Sequence, residues 1–293
     1  MEQKKDGEEP FALFVSYNPP HLPYELVPER YYDKFRNLKV HYRPNVPESM
    51  REKGGLLETQ TRQYFAAVHG IDEQFGRILS WLKENGMEEN TLVVLSADHG
   101  EMLGSHGLMS KNIWYDEALH IPLIFRQKGR LAPGKNDAIF ASPDHMPTLL
   151  ELLKLEVPET CEGYSHAESL TRGKRLENGL ETGPEDMLIC SYPGGADMVA
   201  AFSKLGLTHK AYGWRGIRNK RYTYVITNGY APGEPQRELL YDRELDPYEM
   251  NPMEVEKDCA DERILTFRER LKYYLDLTED PFLWDRPGCE TVQ

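Results

Sequence analysis

The sequence predicts an α/β fold followed by a small antiparallel sheet carrying one helix, and three observations predict it. From Leu57 to Asn85 apolar residues recur at alternating steps of four and three, at Tyr64, Val68, Ile71, Phe75, Ile78 and Leu82, and Gly86 supplies a stop. "TLVVLSA", Thr91 to Ala97, is rich in β-branched residues and free of charge, as a strand covered on both faces requires. After about Glu185 the chain changes to short strand-like runs broken by turns and closed by a helical stretch. A helix whose apolar stripe needs a sheet, followed at once by such a strand, implies an α/β layer arrangement.

The other elements follow in order. "FALFVSY", Phe11 to Tyr17, has the length and aromatic content of a buried strand, expected to lie parallel to "TLVVLSA" in one sheet so that both carboxyl-end loops open on the same side. "NPPHLPY", Asn18 to Tyr24, is a proline-stiffened loop, and the chain to about Gly55 is polar and punctuated by proline. "HIPLIFR" reads as a short strand and "MPTLLELLKL" as a helix with Pro147 in its first turn. Further on, "GWRGIRNKRYTYVI" reads as two strands around Asn219 and Lys220. "ELLYDRELDPYEMNP" reads as a strand and a turn, and "ADERILTFRERLKYYLDL" as a closing helix. Residues 1–185 are therefore assigned to the main α/β domain and 186–293 to an α+β subdomain.

Composition narrows the function. With 293 residues, 40% of them hydrophobic, the chain can bury a core, which excludes a disordered or fibrous protein. A net charge of -13 leaves no basic face for nucleic acid, although local cations could still focus a small anionic substrate. Cys161, Cys190, Cys259 and Cys289 lie far apart with no CxxC spacing, so neither a zinc ribbon nor a disulfide scaffold is supported. "MEQKKDGEEP" lacks the apolar core of a signal peptide, and no run of about 18 apolar residues occurs. The expectation is no membrane partner and a cytoplasmic rather than periplasmic location; the oligomeric state is left open.

The segment "LSADHGEMLGSHGLMSK", Leu95 to Lys111, gathers ionisable groups where a strand runs out, the place where open α/β sheets bind ligands. A carboxylate and an imidazole side by side, Asp98 and His99, followed by the flexible Gly100, can point at one metal ion. Read alone, Asp98 equally starts a turn and His99 caps it.

The longer pattern D-H-G-E-x-L-G-x-H-G-L-x-x-K, followed by "YDEALHIPLI", resembles the second signature region of the type I sulfatases and the related phosphonate monoester hydrolases of the alkaline phosphatase superfamily. "FVSYNPPHLPY", "YFAAVHGIDEQFGRIL", "SPDHMPTLLELL", "WRGIRNKRYTYV" and "ELLYDRELDPYEMNP" resemble further family segments in the same order. The resemblance implies an alkaline phosphatase/sulfatase-like mixed sheet flanked by helices. It implies hydrolysis of a sulfate ester, possible on a sulfated sugar, with a phosphonate monoester or phosphodiester as the alternative substrate and a non-catalytic binding module as a further one.

Residue by residue, it implies that Asp98 and His99 bind a divalent metal, calcium in a sulfatase and manganese or zinc in a phosphonate hydrolase. Lys111 is then the contact to the non-bridging oxygens, and His21 the histidine near the leaving oxygen. A metal, an ammonium and an imidazole around a tetrahedral anion stabilise the charge that its cleavage develops. Glu101 and His106 belong to the same pattern and are expected to support the loop. Asp116, Glu117 and His120 either line a pocket or end a helix, and Trp114, Tyr115 and Trp214 either stack on a substrate ring or pack. The family's paired aspartates and its C-x-P-x-R motif, whose cysteine becomes formylglycine, do not occur in these residues. The expectation is that an amino-terminal segment supplies them and that this chain alone is inactive.

Overall fold

The computed structural model describes residues 9–172 and 183–284; Cys289 lies outside them. By compactness the chain divides into two units, Met1–Ser110 with Ile121–Pro133, and Lys111–His120 with Gly134–Gln293.

The first unit contains α1 (Glu29–Tyr32), α2 (Leu56–Glu84), β1 (Val93–Ser96) and β2 (Leu123–Arg126). The expected long helix is α2, with Leu57, Thr61, Ala66, Gly70 and Leu82 buried, whereas Val68 of the apolar stripe is exposed. β1 pairs antiparallel with β2, Val93 opposite Arg126 and Ser96 opposite Leu123. The Glu88 carboxylate, which Arg126 and Lys128 both pair with, closes the far end and is held below the usual carboxylate range by its hydrogen bonds to them.

The stretch "FALFVSY" departs from the expected parallel strand. Residues 11–17 form no strand, and β1 has no parallel neighbour among the described residues. The physical reason is that an apolar run becomes a strand only by pairing, and nothing among the described residues pairs with this one. Phe14 is accordingly 92% exposed.

The second unit is built on a five-stranded antiparallel sheet. After α3 (Asp116–Leu119), α4 (His145–Leu152) and α5 (Ala167–Arg172), β3 (Asp186–Ser191) enters the sheet. α6 (Ala196–Lys204) intervenes before β4 (Gly213–Asn219), β5 (Tyr222–Gly229), β6 (Arg237–Asp242) and the short β7 (Met253–Glu254), in the order β3-β4-β5-β6-β7. Asn219 makes the β4–β5 turn, its side-chain oxygen accepting from the N–H groups of Arg221 and Tyr222.

Strand alternation sorts the side chains by face. Ile217, Tyr224, Ile226 and Leu240 pack with Ile264, Phe267, Leu271 and Leu275 of α7 (Glu262–Leu277). Trp214, Val225, Leu239 and Tyr241 pack on the other face with Trp114. Each fully buried side chain of this size contributes about 1.5–3 kcal/mol, so the helix is held by its stripe more than by propensity. Asp261 caps α7, accepting from Arg263 N–H at 2.9 Å. No helix among the described residues is long and apolar enough to cross a membrane.

Candidate functional site

The loop after β1 brings ionisable groups of the first unit together. Asp98 accepts the backbone N–H of His99 at 3.0 Å, and its other oxygen lies 3.6 Å from His99 Nε2. His99 Nδ1 is 2.7 Å from the Gly100 carbonyl oxygen, which can only accept, so Nδ1 donates there and Nε2 is turned toward the Asp98 carboxylate.

His21 repeats this arrangement. Its Nδ1 donates to Leu22 O at 2.8 Å, and its ring stands edge-on to that of His99 with centroids 6.0 Å apart. The fold thus gathers His21, Asp98 and His99 from distant stretches of sequence, and both rings commit Nδ1 to a local carbonyl.

The loop that follows is tied down by polar contacts. Glu101 accepts from the N–H groups of Leu103 and Ser110. Burial, reinforced by the Glu101 carboxylate, pushes the Tyr24 phenol well above its ordinary range. His106 donates its N–H to Asn45 O at 2.8 Å, and its Nε2 receives the Asn45 amide at 3.0 Å. Gly104 is required by space and backbone together: φ is +90°, and a Cβ would lie 2.5 Å from a Leu57 methyl.

Asp98 and His99 have the donor chemistry of a divalent-metal site, one carboxylate side chain 88% exposed beside an imidazole nitrogen 3.6 Å away. Among the described residues no group of three or more His, Cys, Asp and Glu side chains is disposed to hold a metal ion.

Lys111 belongs to the second unit, and its neighbour Asn112 is what the sheet holds. Asn112 has a left-handed φ of 74°. Its carbonyl accepts from Trp214 Nε1 at 3.0 Å and from the Tyr230 hydroxyl at 2.5 Å. Sequence reasoning missed this anchor, because nothing in "SKNIW" marks a carbonyl gripped from β4 and from just past β5.

Asp116, His120 and the aromatic candidates of this unit make contacts within it. Asp116 opens α3, its carboxylate pairs with Arg218 and its N–H donates to Glu249 at 2.9 Å. Burial raises the Glu249 carboxyl above its usual range even though Arg218, Thr223 and the Asp116 N–H oppose the rise. His120 Nδ1 lies 3.5 Å from Asp116 at the end of the same turn. Trp114 and Trp214 are buried edge to face, centroids 5.8 Å apart, and Trp114 donates Nε1 to the Tyr241 hydroxyl. Tyr115 packs edge-on to Tyr241. Trp114 and Trp214 are packed into the core, and Tyr115 is partly buried against it.

Residues 1–155 match the family described as Sulfatase. The chain is 31% identical over 270 residues to an endo-4-O-sulfatase of Bacteroides thetaiotaomicron, covering 88% of this chain and 50% of that protein. It is similar to the solved structure of a Bacteroides thetaiotaomicron 4S-sulf protein from the metabolism of multiple glycosaminoglycans, with a TM-score of 0.78 and 30% identity, covering 94% of this chain and 56% of that one. Similarity to the phosphonate monoester hydrolase of Agrobacterium radiobacter is lower, with a TM-score of 0.58 and 27% identity over 76% of this chain and 41% of that one. The chain spans about half the length of the curated relatives it matches.

Proposed function

Because the chain belongs to the sulfatase family, we propose that it acts in the hydrolysis of a sulfate ester, with a sulfated saccharide as the substrate class. The observation that carries this reading is the approach of the His21 ring to the Asp98–His99 pair, 6.0 Å between ring centroids, at the end of β1. The saccharide is supported by the glycosaminoglycan context of one structural relative. A phosphonate ester is the weaker alternative, because the corresponding structural likeness is lower.

His21 holds its Nδ1 proton on Leu22 O, so Nε2 is the atom that can take or give a proton beside the leaving oxygen. Asp98, through its exposed carboxylate, and His99, through Nε2, would hold the divalent metal, calcium in this reading. Bound there, that ion would supply electrostatic stabilisation of the developing negative charge. Lys111 adds an ammonium for the non-bridging oxygens, on a backbone that the Asn112 carbonyl fixes.

The test is turnover by a polypeptide that joins these residues to a formylglycine-bearing amino-terminal segment. Aryl sulfates should be cleaved in preference to phenylphosphonate esters. Replacing His99 or Lys111 by Ala should lower the rate by at least about 100-fold, as loss of a charge-stabilising group does. Absence of turnover with both substrate classes would overturn the proposal.

A further inference from the structure

Tyr192, just past the end of β3, combines an exposed ring with a tightly confined backbone. The ring is 45% exposed. Beneath it Gly213, at φ +82°, comes so close that a Cβ would lie 2.8 Å from Tyr192 Cα and 2.2 Å from Ser191 O, so β4 can press against this point only with glycine there. Arg215, fully buried, donates Nη1 to Ser191 O at 3.0 Å and holds its guanidinium 5.8 Å from the Tyr192 ring centroid. Asp280 in turn fixes that guanidinium through Nε at 2.8 Å and Nη2 at 3.1 Å. His209 meets the Tyr192 ring edge-on, centroids 5.7 Å apart. The ring therefore has neighbours on two sides while nearly half of the residue's surface stays exposed.

The same place is linked to Lys111. The Tyr230 hydroxyl that donates to Asn112 O lies 3.3 Å from Ser191 Oγ, so the residue after Lys111 and the residue before Tyr192 share one hydroxyl. We propose that Tyr192, with His209 at its edge, is a stacking platform for a sugar ring of a saccharide whose sulfate is directed to Lys111. The sulfate part of this statement rests on the sulfate-ester reading above; the platform does not. An apolar pyranose face suits an aromatic ring, and a ring already fixed loses little side-chain entropy on binding.

The test is ligand-observed NMR on the full chain with two probes, a uronate–N-acetylgalactosamine disaccharide bearing a 4-sulfate and the same disaccharide without it. The wild type should bind both, the sulfated one more tightly. Tyr192→Ala should weaken both by about three- to tenfold, the range an aromatic contact contributes, while Tyr192→Phe and Tyr192→Trp retain binding. Lys111→Ala should bring the two probes to equal affinity. If the wild type binds both probes equally and Tyr192→Ala still weakens them, the platform stands and the sulfate role of Lys111 fails. If Tyr192→Ala binds as the wild type does, or the wild type binds neither disaccharide, the platform is overturned.

Discussion

Asp144 is a buried carboxylate whose environment fixes its response to acid. Burial pushes its carboxyl up, but the His166 imidazole and the backbone N–H groups of Ala141 and Tyr164 outweigh that and bring it below the ordinary value. A depressed folded-state value contributes stability that is present above the unfolded value of about 4 and is lost as pH falls through the folded one. Asp144→Asn should flatten the acid limb of the stability curve below about pH 4. It should also cost about 1–3 kcal/mol at neutral pH, because an amide NH2 cannot accept both N–H bonds. Urea unfolding from pH 7 to 2 measures both effects, and an unchanged acid limb would contradict the assignment. At this scale the sequence was informative where chemistry clusters along the chain, as at Asp98 and His99. The approach of His21 to His99 was expected from the family resemblance rather than from local spacing, and the sequence was silent on the remote grip on the Asn112 carbonyl.

Elements with a regular apolar pattern or clear turn residues were legible, even where, as in α2, much of the stripe is only partly buried. α2, α4, α7, β2, β4, β5 and β6 fall where periodicity and turn residues place them, since 3.6- and 2-residue patterns are written by the faces they cover. β3 went unread because "DMLICS" is a short apolar run with no alternating signal, and α6 because its length is near the limit at which a stripe is visible. The converse error was "FALFVSY", whose composition is that of a strand while its conformation depends on pairing. Gly216 gives an element-scale test. In β4 a Cβ there would meet Tyr224 O at 2.3 Å, Val225 Cγ2 at 3.1 Å and Ile189 Cγ1 at 3.2 Å, all in the adjoining strands. Gly216→Ala should force β4 and β5 apart and destabilise the second unit by about 1–3 kcal/mol, as overpacking of a filled core does. Chemical denaturation measures it, and a neutral result would show that the strands yield freely.

For the molecule as a whole, exposed apolar surface and an incomplete donor set lead to one expectation. Leu13, Phe14, Phe65, Val68 and Ile124 of the first unit all expose a third or more of their surface, and apolar groups left this exposed favour association. Asp98 and His99 supply too few donors for calcium, which takes six to eight oxygens. Calorimetric titration of the 293-residue chain should therefore give a calcium dissociation constant of about millimolar or weaker, with no sulfatase turnover; micromolar binding or turnover would reveal ligands and a nucleophile elsewhere in these residues. The Asn112 carbonyl carries a different consequence, one of timing. Its two donors come 102 and 118 residues later in the chain, so the turn beside Lys111 cannot take its final form until β4 and β5 have been synthesised and paired. Contacts of such sequence separation pay their loop-closure entropy before any reward. The Lys111 turn is thus a late event of folding, set after the helices and hairpins on either side of it have formed.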